Sequence, residues 1–307
     1  MADVDIYISN LQHALGEPRA IEELPEVQAA GRASALTAEG LHSIRASDLE
    51  PWELAARSAE SSLSSVSRES IAAVFYATDT FWSESATVRG PARFLDRLEL
   101  ERTPLHGVGF EGCGNAGGLI ATAADALKAG TADTVLCVTT DRAAEGTRLM
   151  GANVSVLSDG AASFVAGTHR PAVGFRVLAT CRAVEAGMHQ LDVATDTMAV
   201  VKATADGVKR AIAQAFEQTG LDRSSISHVV ANNYGRTSLK IFCGAGGVPF
   251  ELLYQENVKR IGHCYAADTL INLQSLVEQE AVSSGALCLV LCSGFSNWSA
   301  TVVEYVG

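Results

Sequence analysis

The chain has 307 residues, of which 48% are hydrophobic and 19% are charged, so it can bury a large core and does not have the composition of a disordered protein. Its net charge of −12 argues against nucleic acid or an anionic membrane as the main partner, because both need a broad basic surface. The sequence shows neither a signal peptide nor an apolar run long enough to span a bilayer. We therefore expect a cytoplasmic protein of one or two domains.

The cysteines do not have the spacing of a zinc site, and no metal is predicted. Their odd number is typical of reduced thiols in a cytoplasm. The seven are Cys113, Cys137, Cys181, Cys243, Cys264, Cys288 and Cys292. Most of them are expected to be small core side chains, so a catalytic role for any one needs further support.

The first half of the chain contains two predicted helix–strand units and a closing strand. In chain order, the elements are a helix over Glu53–Ser65, a strand over Ile71–Thr78, a strand over Leu105–Phe110, a helix over Ala116–Ala129, a strand over Asp133–Thr139 and a turn and strand over Asp159–Val165. The helices show helical composition and the strands are short apolar runs. Gly130 is a typical helix end.

The second half repeats this order. Its elements are a helix over Ala203–Thr219, a strand over Ile226–Asn232, a helix from Ala266 to about Ser283, a strand over Ala286–Cys292 and a strand over Trp298–Tyr305. Cys113 lies 24 residues before Cys137, and His263 lies 25 residues before Cys288. Chance similarity between ordinary helix–strand units is the alternative explanation.

The ordered repetition indicates a duplication with a boundary near residue 168, which gives halves of 1–168 and 169–307. Alternating helices and strands predict an α/β protein whose sheets are mostly parallel, buried and covered by helices.

Cys113 is the candidate nucleophile. It follows the predicted strand Leu105–Phe110 and lies between Gly112 and Gly114, where a helix begins. The unpaired N–H groups and the dipole at a helix N-terminus stabilise a thiolate. Ordinary packing is the alternative for a single cysteine in such a turn.

His263 and Asn232 are the candidate partners of Cys113. In the repeat, His263 has the position of Cys113, and Asn232 ends the preceding strand. Equivalent strand ends converge on one crevice, so the three side chains are expected to meet. The imidazole would take or share the thiol proton, and the amide would orient the imidazole or hold a carbonyl. The alternatives are a structural histidine and an asparagine that closes a turn with Asn233.

The last turn of the second half offers an oxyanion hole. Ser293 and Gly294 follow a buried strand that would end at the same crevice. The backbone amides of Gly294 and Cys113 are expected to stabilise a tetrahedral intermediate.

Four short motifs follow one another along the chain and read Phe110-Glu-Gly-Cys-Gly-Asn-Ala-Gly, Leu157-Ser-Asp-Gly-Ala-Ala-Ser-Phe-Val, Gly262-His-Cys-Tyr-Ala-Ala and Cys292-Ser-Gly-Phe-Ser-Asn-Trp-Ser. In this order they resemble the nucleophile turn, the Gly-Asp-Gly-Ala strand, the Gly-Asn-Thr-Ser-Ala-Ala turn and the glycine-rich last strand ending of the ketoacyl synthase III group of the thiolase superfamily. The resemblance implies a homodimeric thiolase fold, with five αβαβα layers built from two pseudo-symmetric halves. The first half would carry Cys113, and the second would carry His263 and Asn232.

The sequence departs from this group at two site positions. The usual histidine is replaced by Asn232, and the usual asparagine by His263. This exchange resembles ketoacyl-synthase-III-like acyltransferases of natural-product pathways, such as the cervimycin malonyltransferase type. It implies a thioester-dependent acyltransferase of secondary metabolism, which moves an acyl group through Cys113 to a hydroxyl or amine. The alternatives are decarboxylative condensation and, less favoured, an inactive partner subunit of a heteromeric synthase.

The donor and the acyl tunnel are less well defined. The stretch Val27–Ser34 has an arginine but lacks the tryptophan with which the group holds the adenine of coenzyme A. The donor is therefore open between coenzyme A and an acyl carrier protein, and no other cofactor is implied.

Phe81 and Trp82 occupy the place of a loop that, in this group, crosses the dimer interface and lines the acyl tunnel. Ordinary packing is the alternative for these two aromatic residues.

Overall fold

The computed structural model describes residues 4–80, 88–279 and 282–307. Its strands are β1 Ile6–Leu15, β2 Glu17–Ala20, β3 Ser43–Ala46, β4 Ala73–Ala77, β5 Leu105–Val108, β6 Thr134–Asp141, β7 Gly160–Gly167, β8 Gly174–Val184, β9 Ile226–Ala231, β10 Leu287–Ser293 and β11 Asn297–Val306. Its α-helices are α1 Pro25–Ala29, α2 Ala33–Ala38, α3 Pro51–Ser62, α4 Gly90–Arg97, α5 Asn115–Lys128, α6 Thr197–Thr219, α7 Arg236–Gly246, α8 Glu256–Ile261 and α9 Ala267–Gln279.

Nine strands form one sheet in the order β5-β4-β6-β7-β1-β8-β11-β10-β9, and β2 pairs with β3 separately. In the first half, β4 is parallel to β5 and β6, and β7 is antiparallel to β6 and β1. In the second half, β9 is parallel to β10, and β11 is antiparallel to β10 and β8. The two halves meet where β1 pairs with β8. The order and directions of β4, β6, β7 and β1 thus recur in β9, β10, β11 and β8, which confirms the two pseudo-symmetric halves.

The expectation of mostly parallel sheets is wrong. Only the pairs β4–β5, β4–β6 and β9–β10 are parallel, and the other five neighbouring pairs in the described sheet are antiparallel. The physical reason is clearest between β10 and β11, because the three residues between them can close an antiparallel hairpin but not a parallel crossover.

Three hydrophobic clusters define the layers. In β4, Phe75 faces a central cluster with the apolar residues of α5 and α9, whereas Val74 and Tyr76 face an outer cluster with α3 and α4. This is the two-residue alternation of a strand that is buried on both sides. A third cluster packs α6 and α7 on the outer face of the second half. The predicted αβαβα arrangement is confirmed.

All seven cysteines are free, and all except Cys113 and Cys181 are buried, as expected of core residues. Each helix in the described ranges is too short or too polar to span a bilayer. The described residues contain no cluster of side chains suited to a metal ion. The boundary proposed near residue 168 falls in the connection between β7 and β8.

Candidate active site

Cys113 lies in a sharp turn between β5 and α5. The 3-10 turn Gly112–Gly114 leads into α5, and Gly112 has a φ of +57°, a conformation that favours glycine. A side chain on Gly114 would come within 2.8 Å of Asn297 Oδ1 and 3.1 Å of Gly294 N, so the turn packs directly on the β10–β11 connection. The Cys113 thiol is consequently held, partly exposed, at the beginning of a helix.

His263 brings the second half of the molecule to this thiol. It is fully buried, it precedes α9, and its Nε2 atom lies 3.1 Å from Cys113 Sγ. The residues that occupy equivalent positions in the two halves are thus in hydrogen-bonding contact. A thiol and an imidazole at this distance can exchange a proton directly.

Asp268 holds the other face of the imidazole. Its Oδ2 atom accepts a hydrogen bond from His263 Nδ1 and another, of 2.7 Å, from the amide of Asn233. Its Oδ1 atom accepts from the amide of Cys264 at 2.7 Å and from Asn233 Nδ2 at 3.2 Å. Both oxygens of this fully buried carboxylate are satisfied. A proton kept on Nδ1 leaves Nε2 to serve Cys113, which is the geometry of a Cys–His–Asp triad.

The electrostatics of the three residues reinforce this arrangement. Burial by itself lowers the pKa of His263, but the charges of Cys113 and Asp268 and the hydrogen bonds to both outweigh it, so the pKa lies well above its usual range. A protonated imidazole beside the sulfur stabilises a thiolate, which is the reactive form of cysteine.

Asn232 has a different role from the predicted one. Its Nδ2 atom donates to the backbone oxygens of Cys113 and Tyr265, both at 3.1 Å, and its Oδ1 atom accepts from the amide of Ser293 at 2.9 Å. Both amide hydrogens are therefore used on the backbone. The expectation that Asn232 orients the imidazole of His263 is wrong, because Asp268 occupies that position. Asn232 instead ties the Cys113 turn to the second half.

The two predicted oxyanion donors differ in availability. The amide of Gly294 donates to the carbonyl of Asn297 at 2.9 Å and thereby closes the turn between β10 and β11. The expectation that Gly294 serves an oxyanion is therefore wrong. No described residue accepts a hydrogen bond from the Cys113 amide, so of the two predicted donors only this one is available. The predicted tunnel residues Phe81 and Trp82 lie outside the described residues.

Asp268 was not among the residues predicted for the site. The only signal for it was an acidic residue in the first turn of the helix that follows His263, where a carboxylate also favours the helix dipole. Because an acidic residue is common in the first turn of a helix, nothing in the sequence indicated that the Asp268 carboxylate also binds His263.

A cleft of about 1050 Å³ lies elsewhere in the first half, and neither Cys113 nor His263 lines it. It is lined by Thr80 and by side chains of both charges, among them Arg19, Arg142, Glu26 and Glu50. The hydrogen-bonded thiol of Cys113 and imidazole of His263 lie outside this cleft.

Solved structures share this architecture over nearly the whole chain. An acyltransferase named ChlB3 superposes with a TM-score of 0.83 at 20% identity, over 98% of each chain. FabH, the 3-oxoacyl-(acyl carrier protein) synthase III of Pseudomonas aeruginosa PAO1, gives 0.82 at 18% identity, also over 98% of each chain. The priming β-ketosynthase of the R1128 polyketide pathway gives 0.81 at 17% identity, over 97% of this chain and 96% of its own. No family model and no curated protein sequence matches the chain. At these identities the likeness establishes the thiolase fold of ketoacyl synthase III structures.

Proposed function

We propose that this protein is an acyltransferase that carries an acyl group on Cys113 and passes it to a hydroxyl or amine. The observation that carries the proposal is the contact of 3.1 Å between Cys113 Sγ and His263 Nε2, with Asp268 bound to the opposite nitrogen. A nucleophile, a base and a residue that orients the base are the parts of covalent acyl transfer.

The reaction has two steps. In the first, the Cys113 thiolate attacks the thioester carbonyl of the donor, and the protonated His263 gives its proton to the departing thiolate, which leaves as a thiol. In the second, the acceptor oxygen or nitrogen attacks the acyl carbonyl on Cys113, and His263 takes the proton that the acceptor loses. The Cys113 sulfur then leaves as a thiolate, and the ester or amide product is released. Asp268 stabilises the protonated imidazole, and the Cys113 amide faces the developing oxyanion.

Decarboxylative condensation is the second candidate, since FabH and the R1128 β-ketosynthase have the same fold. It requires donors that stabilise the negative charge formed when carbon dioxide leaves. The side chain of Asn232 is bound to the carbonyls of Cys113 and Tyr265 and has no hydrogen left to donate. This favours transfer to an acceptor over formation of a carbon–carbon bond.

The donor is an acyl thioester of coenzyme A or of an acyl carrier protein, in a cytoplasmic biosynthetic pathway. Incubation with malonyl thioester labelled at its free carboxyl carbon, together with an unlabelled acyl thioester, separates the two reactions. Transfer predicts an acyl adduct on Cys113 without release of labelled carbon dioxide. Labelled carbon dioxide in proportion to a ketone product contradicts it.

We also propose a homodimer. Phe110 is 99% exposed and follows β5, the outermost strand of the large sheet. Its φ of +69° is unusual for a bulky side chain and holds the ring outward beside the Cys113 turn. Sedimentation equilibrium is expected to give twice the chain mass of 32.2 kDa, and Phe110→Glu is expected to lower it. A wild-type protein that stays monomeric contradicts the proposal.

A further inference from the structure

The loop of residues 78–80, which follows β4, is fixed by a buried carboxylate. Asp141 Oδ1 accepts hydrogen bonds from the hydroxyl of Thr78 at 2.9 Å, the amide of Asp79 at 2.6 Å, and the amide and hydroxyl of Thr80 at 3.1 and 3.2 Å. Asp141 is only 1% exposed. Four donors on one oxygen leave the backbone of residues 78–80 little freedom, so the direction of the Asp79 side chain is set by the fold.

A second contact ties this loop to the nucleophile. Asn115, the first residue of α5, donates from Nδ2 to the Thr78 carbonyl at 3.4 Å and accepts at Oδ1 from the amide of Glu111 at 3.1 Å. Asn115 thereby joins the loop after β4 to the turn that contains Cys113. The loop and the nucleophile are held as one unit.

The Asp79 carboxylate lies against this turn. A Cβ atom placed on Gly112, the residue before Cys113, would be 3.7 Å from Asp79 Oδ2 and 3.9 Å from Oδ1. The side chain is half-buried, and no described residue donates a hydrogen bond to its oxygens. Burial raises the pKa of the Asp79 carboxyl, and the charge of His263 partly offsets this. The Asp79 carboxylate thus lies beside the Cys113 turn without an ion-pair partner among the described residues, and the charge of His263 is the opposite charge that favours its ionised form.

Glu111, a second carboxylate in the Cys113 turn, is paired with an arginine. Glu111 Oε1 accepts a hydrogen bond of 2.9 Å from Arg182, and the two form an ion pair. The contrast with Asp79 matters for substrates, because an unpaired charge in a partly desolvated site acts over several ångströms and a paired one acts much less.

We propose that Asp79 selects the acyl group on Cys113 by its charge. The inference rests on the proposed function and names its substrate class: acyl groups that are neutral or carry an ammonium are accepted, and acyl groups that carry a carboxylate are rejected. An anionic chain attached to Cys113 would meet the Asp79 charge in a site that is only partly hydrated, whereas an ammonium would be attracted to it. This distinguishes the protein from an enzyme that transfers malonyl groups.

The test uses three N-acetylcysteamine thioesters, which avoid the choice between coenzyme A and a carrier protein. β-Alanyl, propionyl and malonyl thioesters carry a positive, a neutral and a negative chain of similar length. Rates of Cys113 acylation at pH 8 are measured by intact-protein mass spectrometry, with peptide mapping to locate the adduct. For the wild type, we expect the β-alanyl rate to exceed the malonyl rate by at least about tenfold, the scale of one charge interaction near a protein surface.

Three variants isolate the charge. Asp79→Asn is expected to bring the two rates within about threefold of each other. Asp79→Glu keeps the charge and is expected to keep the preference. Glu111→Gln removes the paired carboxylate and is the matched control, with an unchanged preference. The melting temperature of each variant shows that it is folded.

The outcomes separate the inference from the proposed function. Equal wild-type rates for malonyl and β-alanyl donors, or a preference that survives in Asp79→Asn, overturn the role of Asp79 and leave acyl transfer intact. If propionyl and β-alanyl thioesters both fail to acylate Cys113 of the wild type, the proposed function itself is contradicted, and the inference is lost with it.

Discussion

Two loops occupy equivalent positions in the two halves of the molecule. Residues 78–80 follow β4 and residues 232–234 follow β9, and each loop is held by a buried carboxylate, Asp141 in the first half and Asp268 in the second. The Asp141 carboxylate binds the loop with one oxygen, while its Oδ2 atom has no partner among the described residues. The Asp268 carboxylate uses both oxygens and also holds His263.

The charge on the two carboxylates explains the difference. Burial, together with the Asp79 charge, raises the pKa of Asp141 to about 7 in spite of the hydrogen bonds from Thr78, Asp79 and Thr80. At Asp268 the imidazole of His263 supplies the opposite charge. Under the proposed function, the same way of anchoring a loop serves structure in the first half and proton transfer in the second.

Removal of the imidazole should have the largest effect. We expect His263→Ala to lower kcat by about 10⁴-fold or more, since loss of the base of a triad removes most of its catalysis. Single-turnover acylation of Cys113 should slow together with overall turnover, because the thiolate loses its counter-ion. A loss of less than tenfold would contradict the assignment of His263 as the base.

The same substitution at the two carboxylates tests the comparison itself. Asp268→Asn should lower kcat by about 10²–10⁴-fold, because the amide favours the wrong tautomer of the imidazole. At Asp141 the same change should cost less than about tenfold, since that residue acts only through a loop. Steady-state kinetics of both variants, checked for folding by circular dichroism, decide the matter. Equal losses would show that Asp268 is only a structural anchor.

Asn232→Ala should have a smaller effect on chemistry than either triad variant. The side chain bridges the Cys113 turn, Tyr265 and Ser293, so we expect a loss of stability of about 1–3 kcal/mol from the unpaired buried groups. The kcat should fall by about tenfold, from displacement of Cys113. Denaturant unfolding and kinetics on the same sample measure both. A kcat loss larger than that of Asp268→Asn would restore the direct role that the sequence suggested.

The raised pKa of Asp141 should make the free energy of unfolding depend on pH. Its folded-state pKa of about 7 lies above the value of about 3.9 for an unperturbed aspartate, so the folded protein binds this proton more tightly. The free energy of unfolding should therefore fall as the pH rises from about 4 to about 7, by up to roughly 4 kcal/mol, and then level off.

Asp141→Asn removes this proton and should lose that dependence. Urea unfolding of both proteins at pH 5, 6, 7 and 8 gives the difference at each pH. The wild type should lose stability relative to the variant up to pH 7. A constant difference across the range would contradict the raised pKa.

Much of the fold was readable in the sequence. Buried strands such as β6 and β10 are continuous apolar runs, and the glycine after α5 ends that helix, so the repeat of helix and strand was visible. The directions of β7 and β11 were not, because a run that is apolar on both faces looks the same in either direction.

The site was predicted only in part. Cys113 and His263 follow from their equivalent positions in the repeat. The residue that binds Nδ1 of His263 depends on the three-dimensional path of the backbone. The sequence positions of Asp268 and Asn232 do not show which of the two lies there. Gly294 was expected to offer its amide to an oxyanion, but the direction of that amide depends on the hairpin, in which it donates to the carbonyl of Asn297.

Acyl transfer through Cys113 to an oxygen or nitrogen can be followed on the protein itself. The protein is loaded with a ¹³C-labelled propionyl thioester, the adduct is mapped by peptide mass spectrometry, and a panel of amines and alcohols is then added. We expect one labelled propionyl group on the Cys113 peptide, which is then lost to an ester or amide product, and none in Cys113→Ala. An adduct on another residue, or turnover in Cys113→Ala equal to that of the wild type, would contradict transfer through Cys113.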